Sequence, residues 1–177
     1  MGGWKDQDLE HYLATGTAPG HGPASGPMAE VITNSTRFMT PADIHAMVVY
    51  LRSIPPVAAG PEVVAASVAP APVDPLGASV FAAACQGCHL PTGSGRQSAW
   101  AALGGDHAVG DPNGTNMVQI LAHGSDMQTP SGYVFMHAFT GAFTDAELAA
   151  VANYVTAQLG GRQSQVTPEK IAAARAE

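Results

Sequence analysis

Charged side chains are scarce in this chain of 177 residues, and basic ones most of all. Charged residues make up 12% of the sequence, about half the fraction in an average soluble protein. Seven lysines and arginines stand against fourteen aspartates and glutamates, for a formal net charge of −7. Because binding to a phosphate backbone needs clustered positive charge, nucleic acid is excluded as a partner.

Long apolar runs are also missing. The most apolar stretch, residues 57–73, is interrupted by three prolines and by Glu62. It falls short of the roughly 18 consecutive apolar residues of a membrane-spanning helix. Residues 1–10 contain no basic segment followed by an apolar run, so no secretory signal is visible. The chain is therefore not expected to cross a bilayer by itself.

Proline is concentrated between the two halves of the chain. Six prolines occur within residues 54–75, where most other residues are alanine and valine. This composition is typical of a semi-rigid linker. The sequence is therefore divided into residues 1–56, a linker at 57–74, a domain at 75–162 and a tail at 163–177.

The segments on either side of the linker are related to each other. Residues 39–51 align without gaps to residues 143–155, and residues 8–16 align to residues 116–124. Both members of the first pair have the pattern of an amphipathic helix that begins at a threonine, and the second has the Thr-x-x-Glu spacing of a capping box. No strand-like alternation competes with these patterns. The fold class is therefore predicted to be all-α, with long loops rich in glycine and proline.

Both cysteines of the chain lie in one short motif, Cys85-Gln-Gly-Cys88-His89. Two thiols three residues apart can reach the two vinyl groups of one haem, and the histidine that follows can bind the iron. Two other chemistries share this spacing: a thioredoxin-like dithiol, and a zinc site completed by His107 or His123. The residues that lead into the motif have the pattern of a helix ending at the first cysteine, which disfavours the dithiol.

The motif and its surroundings resemble the class I cytochrome c family. Gly77 and Phe81 precede Cys85 at intervals of four residues, as a small and an aromatic residue do in that family. Tyr154 is the aromatic residue expected to pack at Gly77, where two helices cross. The resemblance implies a cytochrome c fold with one haem c, bound covalently through Cys85 and Cys88.

The same resemblance implies two iron ligands, His89 and Met136. Met136 lies shortly before the last helix of the domain, as the Met-Pro-x-Phe element of the family does, with His137 where proline is usual. The alternatives for this ligand are Met117, Met127 and His137. The second ring nitrogen of His89 is expected to be held by a backbone carbonyl within residues 100–102.

Residues 1–56 match only the C-terminal half of such a domain. When the repeat is projected backwards, the counterpart of Cys85 falls before Met1, and Met28 takes the place of Met136. We therefore expect a longer natural protein, which begins upstream with at least one more Cys-x-x-Cys-His motif and with a secretory signal.

Residues 26–31, residues 35–37, residues 43–51 and the proline-rich linker are together similar to the multi-haem cytochrome c subunits of membrane-bound bacterial alcohol, aldehyde and gluconate dehydrogenases. The resemblance implies three haems in a complete subunit, of which this chain would keep the last. It implies an electron-transfer subunit rather than an enzyme, relaying electrons from a dehydrogenase subunit towards ubiquinone, the respiratory chain or another redox protein.

The expected location is the periplasmic side of the cytoplasmic membrane, with membrane association through partners or missing segments. Three other functions are considered for the chain: a zinc-binding domain, a haem enzyme or gas sensor with an open coordination position, and a non-functional truncated remnant.

Overall fold

A computed structural model describes residues 3–55, 73–96, 99–130 and 132–177. These ranges are mostly helical. In chain order the helices are α1 (Asp6–Thr15), α2 (Gly26–Asn34), α3 (Pro41–Ser53), α4 (Pro75–Val80), α5 (Gln86–His89), α6 (His107–Gly110), α7 (Thr115–His123), α8 (Asp145–Gln158) and α9 (Pro168–Arg175). The predicted linker falls largely on residues 56–72, outside the described residues. Within the described ranges, no helix is both long enough and apolar enough to cross a membrane.

One antiparallel hairpin interrupts the helical fold. Strand β1 (Ser125–Thr129) pairs with strand β2 (Gly132–Met136), and Met127 lies opposite Val134. The all-α prediction is therefore wrong at this place. Each strand is only five residues long, and β2 carries four apolar residues in succession, so its alternation of faces is not visible in the sequence.

Helices α3 and α8, the two members of the longer repeat, begin in the same way. The Thr40 hydroxyl accepts a hydrogen bond from the Asp43 backbone N–H, and the Asp43 carboxylate accepts one from the Thr40 backbone. Thr144 and Glu147 form the same reciprocal pair at the start of α8. Capping boxes of this kind satisfy backbone donors that a helix end leaves unpaired. The caps read from the sequence are confirmed.

The main core lies between α4, α7, α8 and α9. Its deeply buried side chains include Val118, Leu148 and Ile171. Ile171 belongs to α9, within residues 163–177 that the sequence suggested to be a tail. The Asn153 side chain on α8 holds the backbone N–H and carbonyl of Val166, both at 2.9 Å. This end of the chain is therefore packed into the core.

The N-terminal segment, residues 3–55, has its own small hydrophobic cluster and also packs on the hairpin. Leu9 and Leu13 of α1 meet Ile44 and Val48 of α3, and all four are buried. On its other side, α2 contacts β1, where Met127 packs against buried residues of this segment. The segment is thus joined to the part of the fold that carries Met136.

Candidate functional site

The Cys-x-x-Cys-His motif lies at the end of one continuous helical stretch. Helix α4 runs into a π-turn over Phe81–Cys85, and α5 then carries the rest of the motif, so the helix does not end at Cys85 as expected. Cys85 is buried and Cys88 is exposed, and neither belongs to a disulfide. Burial, with a smaller effect of the neighbouring Cys88, raises the pKa of the Cys85 thiol to about 11.

The chain turns back immediately after His89. Leu90 takes a positive φ of 63°, which a non-glycine residue seldom adopts and which ends α5 abruptly. The following loop then covers the end of the helix, because Gly95 donates to the His89 carbonyl at 3.0 Å and Arg96 donates to the Cys88 carbonyl at 2.9 Å. These bonds hold the motif in place from its C-terminal side.

The His89 ring is oriented by a backbone carbonyl. Its Nδ1 atom donates a hydrogen bond to the carbonyl oxygen of Ala101 at 2.8 Å. A carbonyl within residues 100–102 was the predicted partner, and this prediction is confirmed. Because Nδ1 carries the proton in this bond, the lone pair of the neutral imidazole lies on Nε2, which is the arrangement a metal ligand requires.

Gly77 marks a close helix crossing in front of the motif. A Cβ atom at position 77 would overlap the Ala150 carbonyl oxygen and would lie 2.7 Å from the Tyr154 Cβ. The Phe81 and Tyr154 rings pack beside it, with their centroids 5.5 Å apart. The crossing inferred from Gly77 and Tyr154 is therefore present, and it fixes α4 and the motif against α8.

Met136 is the last residue of β2 and pairs with Ser125. It is partly buried and packs against the main core, which also contains Phe81 and Cys85. Three residues beyond the end of the hairpin, the backbone N–H of Phe139 donates to the Leu121 carbonyl at 2.9 Å and ties the chain to α7. Met136 is therefore held at the edge of the core that carries the motif.

The other three candidates for the second iron ligand lie in different surroundings. Met117 is buried on α7 as part of the main core. Met127 is 2% exposed and packs against the N-terminal segment. His137 is exposed, and its ring packs against that of Phe135 in a T-shaped arrangement, with 4.8 Å between the ring centroids.

Comparison with known proteins identifies the part of the chain that contains this site. Residues 74–155 match the family described as "Cytochrome C oxidase, cbb3-type, subunit III". Over these residues, the chain is similar to a cytochrome c domain. Such a domain carries covalently bound c-type haem.

Three relatives match almost the whole chain and carry related names. The fructose dehydrogenase cytochrome subunit of Gluconobacter japonicus is 31% identical over 99% of this chain and 41% of its own length. The alcohol dehydrogenase (quinone) cytochrome c subunit of Gluconacetobacter polyoxogenes is 27% identical over 92% of this chain and 36% of its own length. The gluconate 2-dehydrogenase cytochrome c subunit of Pantoea cypripedii is 28% identical over 99% of this chain and 42% of its own length. The chain thus spans about two fifths of the length of these relatives.

The donor set of the cytochrome c domain fits a haem better than the two other chemistries. The residues before Cys85 form a helix and a π-turn rather than the strand that a thioredoxin-like dithiol needs. In the described part of the chain, no group of three or more histidine, cysteine or acidic side chains is arranged to hold a metal ion. His123, one proposed fourth ligand for zinc, lines an open cavity beside Met136 instead.

Two exposed aromatic residues near Met136 were not singled out from the sequence. Tyr133 and Phe135 project from β2 with their rings stacked, 5.9 Å between centroids, and each is about 60% exposed. The Tyr133 hydroxyl donates to the Asp126 carboxylate at 2.9 Å, and this bond raises the pKa of Tyr133. Their alternation with Val134 and Met136 becomes readable only once β2 is known to be a strand.

Proposed function

We propose that Cys85 and Cys88 attach one haem c through thioether bonds, with His89 and Met136 as the two iron ligands. The spacing of the thiols supports the attachment, and the orientation of the His89 ring supports its role as a ligand. Met136 is favoured over Met127 because Met127 is already enclosed by the N-terminal segment. When bound, the haem supplies a one-electron couple between ferric and ferrous iron.

The residues of the domain hold and tune this group. The Ala101 carbonyl keeps the proton of His89 on Nδ1, so that the lone pair of Nε2 would be available to bind the iron. A thioether from Met136 favours ferrous iron and raises the reduction potential. If His89 and Met136 both bind the iron, no position on it would be left for a substrate or a gas, so the domain would transfer electrons, unlike a gas sensor or a haem enzyme.

We further propose that the chain works within a dehydrogenase complex. The supporting observation is that relatives matching most of its length are named as cytochrome subunits of fructose, alcohol and gluconate dehydrogenases. The chain would accept electrons from a dehydrogenase subunit and pass them towards a quinone or another redox protein, on the periplasmic side of the membrane. Membrane association would come from partners or from segments outside this chain.

Residues 1–56 are proposed to be the C-terminal half of a second cytochrome c domain. Helices α3 and α8 share an ungapped alignment and the same capping arrangement, which supports this view. By the same repeat, Met28 stands where Met136 stands in the later domain. In this structure Met28 is partly buried between the two clusters of the N-terminal segment.

The observation that carries the proposal is the oriented His89 ring beside two thiols at haem-attachment spacing. The test is to produce the chain in cells that export it and attach haem c, and then to measure its intact mass and its spectrum before and after reduction. We expect one haem per chain that resists acid extraction and changes reversibly between the two oxidation states. The double variant Cys85→Ala, Cys88→Ala is expected to lose covalent haem. Wild-type chains that lack haem but contain stoichiometric zinc would refute the proposal.

A further inference from the structure

Arg175, the last residue of α9, binds the loop that joins β2 to α8, residues 137–144. Its guanidinium donates hydrogen bonds to the Thr140 carbonyl and, at 3.2 Å, to the Phe143 carbonyl. It also donates to the Asp145 carboxylate, from Nε at 3.0 Å and from Nη2 at 2.6 Å. A planar guanidinium carries several donors in a fixed arrangement, so one side chain connects this loop to the start of α8.

Helix α9 is itself fixed to the main core. Ile171 is fully buried and Ala174 is 3% exposed, and the helix packs against both α7 and α8. Lys170, on the same helix, donates to the Asn113 carbonyl just before α7. Because these contacts anchor α9 independently of Arg175, the guanidinium is held in place and its hydrogen bonds restrain the loop.

The opposite side of the same loop is tied to the end of α7. The Phe139 N–H donates to the Leu121 carbonyl at 2.9 Å, and the Thr140 hydroxyl donates to the Ala122 carbonyl at 3.1 Å. Within the loop, the Phe143 N–H donates back to the Phe139 carbonyl at 3.1 Å and closes a turn. The loop is therefore held between α7 on one side and Arg175 on the other, directly after the last residue of β2.

We propose that Arg175 is a positioning residue for Met136. By binding the carbonyls of Thr140 and Phe143, it limits how far the loop can open, and so keeps the Met136 thioether at the iron. This inference rests on the proposed function, in which Met136 is the second iron ligand. An added ligand reaches ferric iron only while the thioether is away from it, so the apparent affinity of that ligand rises with the fraction of chains in which the loop is open.

The test uses the full chain loaded with haem. Arg175→Met removes every donor of the guanidinium but keeps a long, unbranched side chain. Imidazole is titrated into the ferric protein and followed by absorption, and amide hydrogen exchange is measured on a peptide that contains residues 137–144. We expect imidazole to bind on the order of tenfold more tightly and the loop amides to exchange faster. The effect is moderate because the Arg175 side chain is 36% exposed, and exposure weakens the contribution of a charged group.

Two further variants separate positioning from a general effect on α9. Arg175→Lys keeps the charge but cannot bind all three acceptors at once, so its imidazole affinity should lie between those of Arg175→Met and the unmodified chain. Lys170→Met is the matched control, because it removes a cation of the same helix that binds the Asn113 carbonyl, away from the loop. It should change neither imidazole binding nor exchange in the loop, even if it lowers the stability of the fold.

Met136→Leu, measured alongside, distinguishes a failure of this inference from a failure of the proposed function. If Met136→Leu binds imidazole tightly while Arg175→Met binds it as the unmodified chain does, only the role of Arg175 is overturned. Equal increases in affinity for Arg175→Met and Lys170→Met would also overturn it, since they would assign the effect to a looser α9. If Met136→Leu leaves imidazole binding unchanged, Met136 is not the iron ligand and both proposals fail.

Discussion

Met127 and Met136 lie on the same face of one hairpin but pack against different parts of the protein. In the register of the strands, Met127 is opposite Val134 and Met136 is opposite Ser125, and residues paired in this way share a face. Met127 is enclosed by the N-terminal segment, whereas Met136 meets the main core. The hairpin therefore links the first segment to the proposed iron ligand.

Replacing Met136 by leucine is expected to lower the reduction potential of the haem and to let ferric haem bind added imidazole. The thioether favours ferrous iron, and its loss also opens a coordination position. Since axial ligands set haem potentials over roughly 0.8 V, the decrease should be a large, easily measured shift. A spectroscopic redox titration and an imidazole titration measure the two effects.

Met127→Leu is the matched control for this prediction, because it makes the same side-chain change on the same hairpin. It should leave the potential close to that of the unmodified chain, since leucine still fills the buried site with a similar volume. A large decrease with Met127→Leu, together with a normal potential for Met136→Leu, would assign the iron ligand to Met127.

Gly77→Ala is expected to destabilise the folded protein by about 1–3 kcal/mol, the usual cost of forcing an extra carbon into a packed site. The new methyl group would overlap the Ala150 carbonyl oxygen, which belongs to the α8 backbone and cannot turn aside. Urea unfolding of the haem-loaded chain measures the change. Gly110→Ala is the control, because a Cβ atom at position 110 meets no atom within 4 Å. Equal stabilities of the two variants would contradict a tight crossing at Gly77.

The features that the sequence predicted correctly depend on short-range patterns. The cap of α8 follows from a threonine and a glutamate three positions apart, and that of α3 from a threonine followed by a proline. The crossing at Gly77 follows from the family resemblance, because a glycine there lets a second helix approach closely. The carbonyl that holds His89 was also predicted, because a histidine that binds a metal usually donates its second ring N–H to a backbone carbonyl, and the loop after the motif supplies one.

The features that the sequence did not predict depend on contacts between distant residues. Burial of Met127 results from α2, which is about one hundred residues earlier in the chain and leaves no periodic signal near the hairpin. The short strand β2 lacks visible alternation because Tyr133 and Phe135 on its outer face are as apolar as its inner residues. The π-turn at Phe81–Cys85 likewise has no sequence pattern that distinguishes it from an ordinary helical turn.

The contribution of Glu147 to stability is expected to depend on pH. Hydrogen bonds from the backbone and side chain of Thr144 lower the pKa of the Glu147 carboxyl. A carboxyl with a lowered pKa in the folded state stabilises the fold above its pKa in the unfolded chain, and this stabilisation disappears as the pH falls through the lower, folded value. Thermal unfolding should therefore show that Glu147→Gln is less stable than the unmodified chain at pH 7, and that this difference disappears in acid. Glu30→Gln, an exposed glutamate on α2, serves as the control, and an equal loss of stability at both pH values for Glu147→Gln would contradict the prediction.

The N-terminal segment is expected to support the hairpin that presents Met136. Ile32 of α2 is fully buried in the cluster around Met127, and its neighbour Thr33 accepts a hydrogen bond from the Gln128 backbone at 3.2 Å. Ile32→Ala should cost about 2–5 kcal/mol of stability, as for other large-to-small core changes. Because the cavity lies beneath β1, the hairpin should also loosen, and ferric haem should bind imidazole more readily than in the unmodified chain. Val31→Ala, an exposed neighbour on the same helix, is the matched control and should change neither property. If Ile32→Ala lowered stability but left imidazole binding unchanged, the first segment would stabilise the fold without positioning the iron ligand.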